Sequence, residues 1–294
     1  MKILITGGTG QVGFEVVRLF SSFATVFAPT RQELDLYDLN AVSYYLSHNQ
    51  PDLIINTAAW TAVDAAETER DCALMLNTSL PAMLANYCAI NNIWLIHFST
   101  DYVYPGHGEI PWLETDTTGP LSYYGETKLA GDIAIEFSGT QYIILRTSWA
   151  YAARGKNFLL TMLKLAATRD SLSIVADQWG APTPARLLAN LTLLFAERIR
   201  NNLTLESGVY HAATKGYTNW HQFATEIFNL CQQKNTGLLI KNAGQVKAIP
   251  STAYPTPAQR PKNSRMNLNK IERMLNIKLP DWQSQLQLTM DELL

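Results

Sequence analysis

Ile3-Leu4-Ile5-Thr6-Gly7-Gly8-Thr9-Gly10-Gln11-Val12-Gly13 places a short β-branched run directly before four glycines and an amphipathic stretch. The glycines satisfy both G-x-x-G-x-x-G (7, 10, 13) and G-x-G-x-x-G (8, 10, 13). Without Cβ atoms the backbone can turn tightly from strand into helix and approach a pyrophosphate, whose charge is met by the free N–H groups of the helix N-terminus. A glycine turn alone is a weak signal, but its place between the first strand and the first helix points to a dinucleotide. Gly7, Gly10 and Gly13 are therefore the first candidate cofactor residues.

The same rhythm continues along the first half. Ile3 to Thr6, Thr25 to Ala28, Leu53 to Asn56, Ile93 to Phe98 and Tyr142 to Leu145 read as strands separated by helical stretches. Strands that are apolar on nearly every residue are buried on both faces, which with helices between them means parallel βαβ units. The expected class is α/β, a doubly wound parallel (Rossmann) sheet. Residues 1–146 form the expected dinucleotide-binding domain. Residues 147–294 form a smaller mixed, mainly substrate-binding region, some of whose segments return to the sheet. In that region helices are expected near 157–168, 184–200 and 219–233, and strands near 172–176 and 209–212. Pro250, Pro255, Pro257 and Pro261 make an extended, irregular loop.

Composition excludes several function classes. The 294 residues carry 23 Lys+Arg against 25 Asp+Glu, a formal charge of −2, so the basic footprint of a nucleic-acid binder is missing. The longest apolar stretches are interrupted short of a membrane span, and no membrane partner is expected. Cys72, Cys88 and Cys231 are too few and too far apart for a disulfide framework or a zinc site, which together with the absence of a signal-peptide core points to the cytoplasm.

The second strand ends in Ala28-Pro29-Thr30-Arg31. Arg31 can pair bidentately with a 2′-phosphate and Thr30 can add a hydrogen bond, which favours NADPH. Asp35, 22 residues beyond Gly13, is the rival, a carboxylate for a ribose 2′-hydroxyl that keeps NADH open. Further on, Tyr124-Gly125-Glu126-Thr127-Lys128 places a phenol and an ammonium four residues apart on one helix face. A tyrosine ordinarily titrates near about 10, and a nearby cation can stabilise its phenolate so that it exchanges protons closer to neutrality. Ser99, Thr100 and Asp101 stand at the end of the fourth strand, where open α/β sheets bind ligands and a hydroxyl can polarise a carbonyl. They also suit the capping of a turn.

Together the turn Gly7 to Gly13, Thr100, Tyr124 and Lys128 resemble the extended short-chain dehydrogenase/reductase family. Val63-Asp64-Ala65-Ala66-Glu67, Ser99 to Tyr104, Pro111 to Asp116, Tyr124 to Gly131, Arg146 to Trp149, Asp177 to Thr183 and Tyr254 to Pro261 resemble, end to end, its dTDP-4-dehydrorhamnose reductase branch. The resemblance implies hydride reduction of the 4-keto group of dTDP-4-dehydro-6-deoxy-L-mannose to dTDP-L-rhamnose, a step that feeds cell-envelope polysaccharide. It implies that Tyr124 donates the proton, that Lys128 tunes it and holds the nicotinamide ribose, and that Thr100 bonds the carbonyl. It adds Gln11, Val12, Ala58 and Ala59 as cofactor contacts, Asp35 and Leu36 near the adenine, and Val63, Asp101 and Trp149 on the substrate side. Some family members are metal-bridged dimers using carboxylates. Glu15 and Glu292 match, but the third position is Arg186, which would repel Mg2+, so no metal is expected and a homodimer is left open. Arg260 and Arg265 either reach the diphosphate or sit on the surface of the proline-rich loop. The alternatives are an epimerase or dehydratase of the same family, or a non-catalytic NADP-binding regulatory subunit. The intact Thr100, Tyr124 and Lys128 argue for activity.

Overall fold

The computed structural model describes residues 1–234, 238–240 and 243–294. The elements run β1 (Lys2–Thr6), α1 (Gln11–Phe20), β2 (Thr25–Phe27), α2 (Leu39–Asn49), β3 (Leu53–Asn56), α3 (Arg70–Leu74), α4 (Leu80–Asn91), β4 (Trp94–Thr100), α5 (Tyr123–Glu136), β5 (Gln141–Thr147) and β6 (Ala150–Tyr151). They continue with α6 (Phe158–Ala166), β7 (Leu172–Val175), β8 (Trp179–Gly180), β9 (Thr183–Pro184), α7 (Ala185–Arg200), β10 (Gly208–His211), β11 (Thr218–Asn219), α8 (Trp220–Gln233), β12 (Val246–Ile249), α9 (Asn269–Leu275) and α10 (Trp282–Leu293).

Six strands form one sheet in the order β10-β5-β4-β3-β1-β2, every pair parallel. All four residues of β3 are buried, as are Ile3, Leu4 and Ile5 of β1, which is why these strands read as unbroken apolar runs. Strand order reverses between β1 and β3, and the carboxyl ends of the strands on either side of such a switch form a natural ligand crevice. Residues 185–200 and 208–211 lie beyond the expected boundary at 146, yet α7 packs on α1 and β10 pairs with β5. The sheet layer thus draws on both halves of the chain.

Helix starts follow from short polar side chains that satisfy otherwise free N–H groups. Asp38 accepts from Asn40 and Ala41, Ser122 from Gly125, Asn157 from Leu160 and Asn219 from Gln222. Between α3 and α4 the helix widens into a π-turn, Met75–Ser79. The helical run Arg70–Asn91 is long and apolar enough by composition to cross a bilayer, contrary to the expectation of interrupted apolar stretches. In the fold Leu80, Leu84, Ala85 and Cys88 of this run are buried in the core beside the sheet.

A second core joins Tyr151, Leu159, Phe223, Phe228, Trp282 and Leu286. The three small two-stranded sheets, β11 with β8, β12 with β7 and β6 with β9, belong to this region. The proline-rich loop returns to the sheet layer, where the Ala258 N–H donates to Asp64 at 3.3 Å. Among the described residues the cysteines form no disulfide.

Candidate active site

The glycine turn has the geometry a pyrophosphate needs. Gly7 adopts φ +71°, and a Cβ there would come within 2.7 Å of the Ala58 nitrogen at the end of β3. A Cβ on Gly13 would collide with the Gly7 carbonyl oxygen and lie 2.6 Å from Thr57 Oγ1. Helix α1 opens at Gly10 with no capping side chain and no acidic residue in its first turn, so its N–H groups and dipole remain directed at the crevice. The loop after β6 folds over this turn. Asn157 donates to Gln11 Oε1 at 2.7 Å, and the Arg154 guanidinium lies 3.5 Å from the centroid of the Phe14 ring.

At the end of β2 the candidates separate. Thr30 gives its backbone N–H to Glu33 Oε2 at 2.7 Å, so that residue is already engaged by a carboxylate the motif pattern does not single out. The Thr30 contacts hold the Glu33 carboxyl below its ordinary range. Arg31 is exposed, stacks over the Tyr37 ring at 5.4 Å and forms no ion pair among the described residues. Asp35 Oδ1 accepts from the Tyr37 N–H at 3.1 Å and Leu36 is half-buried. Val12 and Ala59 are half-buried and Ala58 is buried beside Gly7.

Thr100 and Tyr124 come together although they lie on different elements. Thr100 closes β4, where its hydroxyl donates to Asp101 Oδ1 at 3.2 Å and accepts from the Tyr102 N–H at 3.2 Å. It therefore caps a turn, and it also acts on the Tyr124 phenol. Burial pushes that phenol up from its ordinary value, with the Thr100 bond acting against it. Tyr102 packs edge-on to Tyr124 at 5.4 Å, and Trp60, Val63 and Tyr123 complete the apolar surround. Gly125 lets α5 approach, since a Cβ there would collide with the Tyr102 carbonyl.

Lys128 is fully enclosed, and burial lowers its amine to about 8. Its Nζ donates to the Phe98 carbonyl at 2.6 Å and lies 3.1 Å from His97 Nε2. The stabilisation of a phenolate expected from the four-residue spacing is thus not among the main influences on Tyr124 here. Asn77, in the π-turn, accepts from the Trp60 N–H at 2.9 Å and donates to Thr127 Oγ1 at 3.1 Å, pinning α5 from behind. His97 and Asn77 escape motif reading; the signal available is a polar side chain inside an otherwise apolar strand or helix.

Asp101 is buried, and burial raises its carboxyl from 3.8 to about 6 against the pull of the Ser264 and Thr100 hydroxyls. Such a group stabilises the fold below about pH 4 and that contribution is lost as pH rises through 6, a change of roughly 3 kcal/mol. Asp101→Asn should therefore raise the melting temperature at pH 7 and leave it nearly unchanged at pH 4. Equal shifts at both pH values would show that the ionised carboxylate carries no such cost.

On the other side of the crevice Trp149 adopts φ +48° and stacks on Trp220 at 3.6 Å. A Cβ on Gly180 would meet Trp149 at 2.7 Å, so this glycine seats the indole. Trp220, from the start of α8, belongs to the site wall without any motif to announce it. A cleft of about 860 Å³ lies beyond, lined by Gly106, His107, Trp179, Arg260, Lys262 and Arg265 among others. Arg260 is not a free surface charge. It pairs with Asp64 at 2.7 Å and donates to the Tyr102 hydroxyl at 3.3 Å, while Arg265 stacks on Trp179 at 4.9 Å.

The carboxylate positions that would bridge a metal do not fit one. Arg186 places its guanidinium between Glu15, at 3.2 Å, and Glu292, at 3.0 Å, so a fixed cation neutralises both and repels a second. No cluster of three metal-ligating side chains occurs among the described residues. With half of the Arg186 side chain exposed, the network is worth about 1 kcal/mol. Arg186→Ala should lower the melting temperature by about 2–4 °C, and EDTA should change neither melting nor turnover of the parent protein. A melting temperature that falls with EDTA would refute this reading.

The chain is similar to known proteins along its whole length. The family model described as RmlD substrate binding domain matches residues 1–294. The dTDP-4-dehydrorhamnose reductase of Shigella flexneri is 42% identical over 297 residues, covering 100% of this chain and 98% of that protein. That of Burkholderia thailandensis is 40% identical, covering 100% and 99%. A crystal structure of the reductase from Clostridium acetobutylicum superposes with a TM-score of 0.89 at 34% identity, covering 100% and 99% of the two chains. The Bacillus anthracis reductase, solved in complex with NADP, superposes with a TM-score of 0.88 at 29% identity, covering 99% of each chain. From its first residue to its last, this chain belongs to the RmlD substrate binding domain family, that of the dTDP-4-dehydrorhamnose reductases.

Proposed function

We infer that this chain is an NAD(P)H-dependent oxidoreductase that reduces the 4-keto group of dTDP-4-dehydro-6-deoxy-L-mannose to dTDP-L-rhamnose. The observation that carries the reading is the buried Tyr124 phenol brought to the Thr100 hydroxyl at the carboxyl end of β4, beside the strand-order switch and the glycine turn. When bound, the nicotinamide supplies the hydride. Gly7, Gly10 and Gly13 with the N-terminus of α1 would hold its pyrophosphate, next to Gln11, Val12, Ala58 and Ala59.

The remaining steps belong to the side chains. The Thr100 hydroxyl orients the keto oxygen and shares its growing negative charge. Tyr124 gives that oxygen its phenolic proton, and burial keeps the phenol protonated until charge develops opposite it. Lys128, four residues further along α5, would hold the nicotinamide ribose. Asp101, Val63 and Trp149 bound the sugar. Arg260, fixed by Asp64 and Tyr102, presents its cation to the cleft in which a nucleotide diphosphate would lie.

For the cofactor, NADPH is the better fit, because Arg31 is exposed and free of ion pairs among the described residues whereas Asp35 already accepts from Tyr37. The test is the absorbance decay of NADPH and then NADH with enzymatically generated dTDP-4-dehydro-6-deoxy-L-mannose, followed by identification of the product. Consumption with dTDP-L-rhamnose formed is expected. Tight NADPH binding without turnover would sink the reductase reading. In the same assay Arg31→Ala should raise KM for NADPH at least tenfold, the loss of one charge-assisted pair, and leave KM for NADH nearly unchanged. Equal effects on both cofactors would remove Arg31 from 2′-phosphate recognition.

A further inference from the structure

Trp149 stands two residues beyond Thr147, the residue of β5 that lies beside Thr100 of β4. Its indole is therefore placed at the rim of the crevice, next to the strand end that carries the Thr100 hydroxyl. The backbone there is left-handed, φ +48°, a conformation that a bulky side chain adopts only when its surroundings impose it. Those surroundings pin it on both sides: Ser148 Oγ donates to the Ala181 carbonyl at 3.1 Å, and the Trp149 carbonyl accepts from the Thr183 N–H at 3.3 Å. An outlier held so firmly beside a ligand crevice points to a side chain whose direction matters.

That direction is fixed by one neighbouring unit. Strands β8 and β11 pair antiparallel, with Gly180 beside Thr218 and Trp179 beside Asn219. Gly180 lies under the edge of the Trp149 indole, where a Cβ would come within 2.7 Å of Cε2. Trp220, the first residue of α8 and directly after β11, lays its ring against Trp149 at 3.6 Å between centroids and 13° between planes. Trp220 is itself held in place: its indole N–H donates to Gln178 Oε1 at 3.1 Å, and the Phe158 ring packs on it at 4.6 Å. An indole nitrogen only donates, so the bond to Gln178 sets the rotation of a ring that apolar packing alone would leave less defined. Trp149 is half-buried. With one face against Trp220 and an edge against Gly180, the face it leaves uncovered is the one opposite Trp220.

We propose that Trp220 is a positioning residue for the sugar site: anchored by Gln178, it holds the Trp149 indole as a preformed apolar wall against which the C–H face of the 6-deoxy sugar packs. The proposal rests on the reading of Trp149 as a substrate contact and deepens it, since a ring already stacked before the substrate arrives needs no further ordering when the sugar binds. The wall meets the sugar and not the cofactor, and it meets the ketone and the developing alkoxide alike. Its loss therefore raises KM for the sugar and leaves kcat and KM for NADPH nearly unchanged.

Steady-state kinetics of full-length variants test this. Trp220→Leu should raise KM for the nucleotide sugar about tenfold, the loss of one stacked aromatic pair. Trp220→Phe, which keeps a ring on Phe158 and Trp149, should raise it only about threefold. In the double variant Trp149→Ala/Trp220→Leu the second substitution should add nothing to the KM of Trp149→Ala, because Trp220 acts only through that ring. The same factor from Trp220→Leu in both backgrounds, a KM for NADPH that rises with that for the sugar, or an unchanged KM for the sugar in folded Trp220→Leu would overturn the proposal and leave Trp149 as a substrate contact. An unchanged KM for the sugar in Trp149→Ala would overturn the reading of Trp149 and the proposal with it. Should Trp220→Leu fail to fold, the same cycle made with Trp220→Phe decides. The stack also has a signature that needs no turnover. Two indoles this close give an exciton couplet in far-ultraviolet circular dichroism, expected in the parent protein and lost in Trp220→Leu and in Trp149→Ala. A parent spectrum without the couplet overturns the proposal.

Discussion

Tyr124→Phe is expected to bind NADPH as the parent protein does and to lose between about 10²-fold and 10⁴-fold in kcat, the usual contribution of a positioned general acid. The substitution removes one oxygen and leaves the ring among Trp60, Val63, Tyr102 and Tyr123, so the fold should hold. The lost hydroxyl is the one brought to Thr100, and with it goes the proton source for the developing alkoxide. Fluorescence titration with NADPH and steady-state kinetics separate the two effects. Near-parental kcat would show that the proton arrives from elsewhere. Weakened NADPH binding together with lost turnover would show that the phenol serves the cofactor more than the sugar.

Gly13→Ala is expected to weaken NADPH binding by at least about 100-fold and to lower the melting temperature. A Cβ at this position would collide with the Gly7 carbonyl oxygen, which also accepts from the Gly10 N–H at 2.9 Å. Because the neighbours are backbone and the Thr57 side chain, the turn itself must open to make room, at a cost of about 1–3 kcal/mol. Opening it moves the N–H groups at the start of α1 away from the position of a pyrophosphate. Calorimetry with NADPH gives the affinity and a thermal melt gives the stability. An unchanged affinity would place the diphosphate elsewhere in the crevice.

The parallel sheet could be read from the chain because Leu53-Ile54-Ile55-Asn56 and its counterparts are buried on both faces and so carry an unbroken apolar pattern. The return of β10 to that sheet was less legible. Gly208–His211 is as short as the strands of the small sheets, and nothing local says which edge it will join. At the site, Gly7 to Gly13, Thr100, Tyr124 and Lys128 stood out because their chemistry depends on spacing along one turn or one helix face. His97, Asn77, Glu33 and Trp220 did not, since each acquires its partner across a long sequence separation or from a loop whose course no motif fixes.

Local sequence, then, determined the element types, the strand-to-helix turn with its missing Cβ atoms, and the phenol and amine on one face of α5. These follow from interactions within a few residues. Tertiary structure alone decided where those groups aim: Lys128 toward His97 and Phe98, Arg186 between Glu15 and Glu292, and Arg260 onto Asp64. Hydrogen bonds and ion pairs of this kind are made at about 3 Å between residues 30 to 196 positions apart. Only the packing of the layers brings such residues within reach, and so only the packing sets the charge each of them carries.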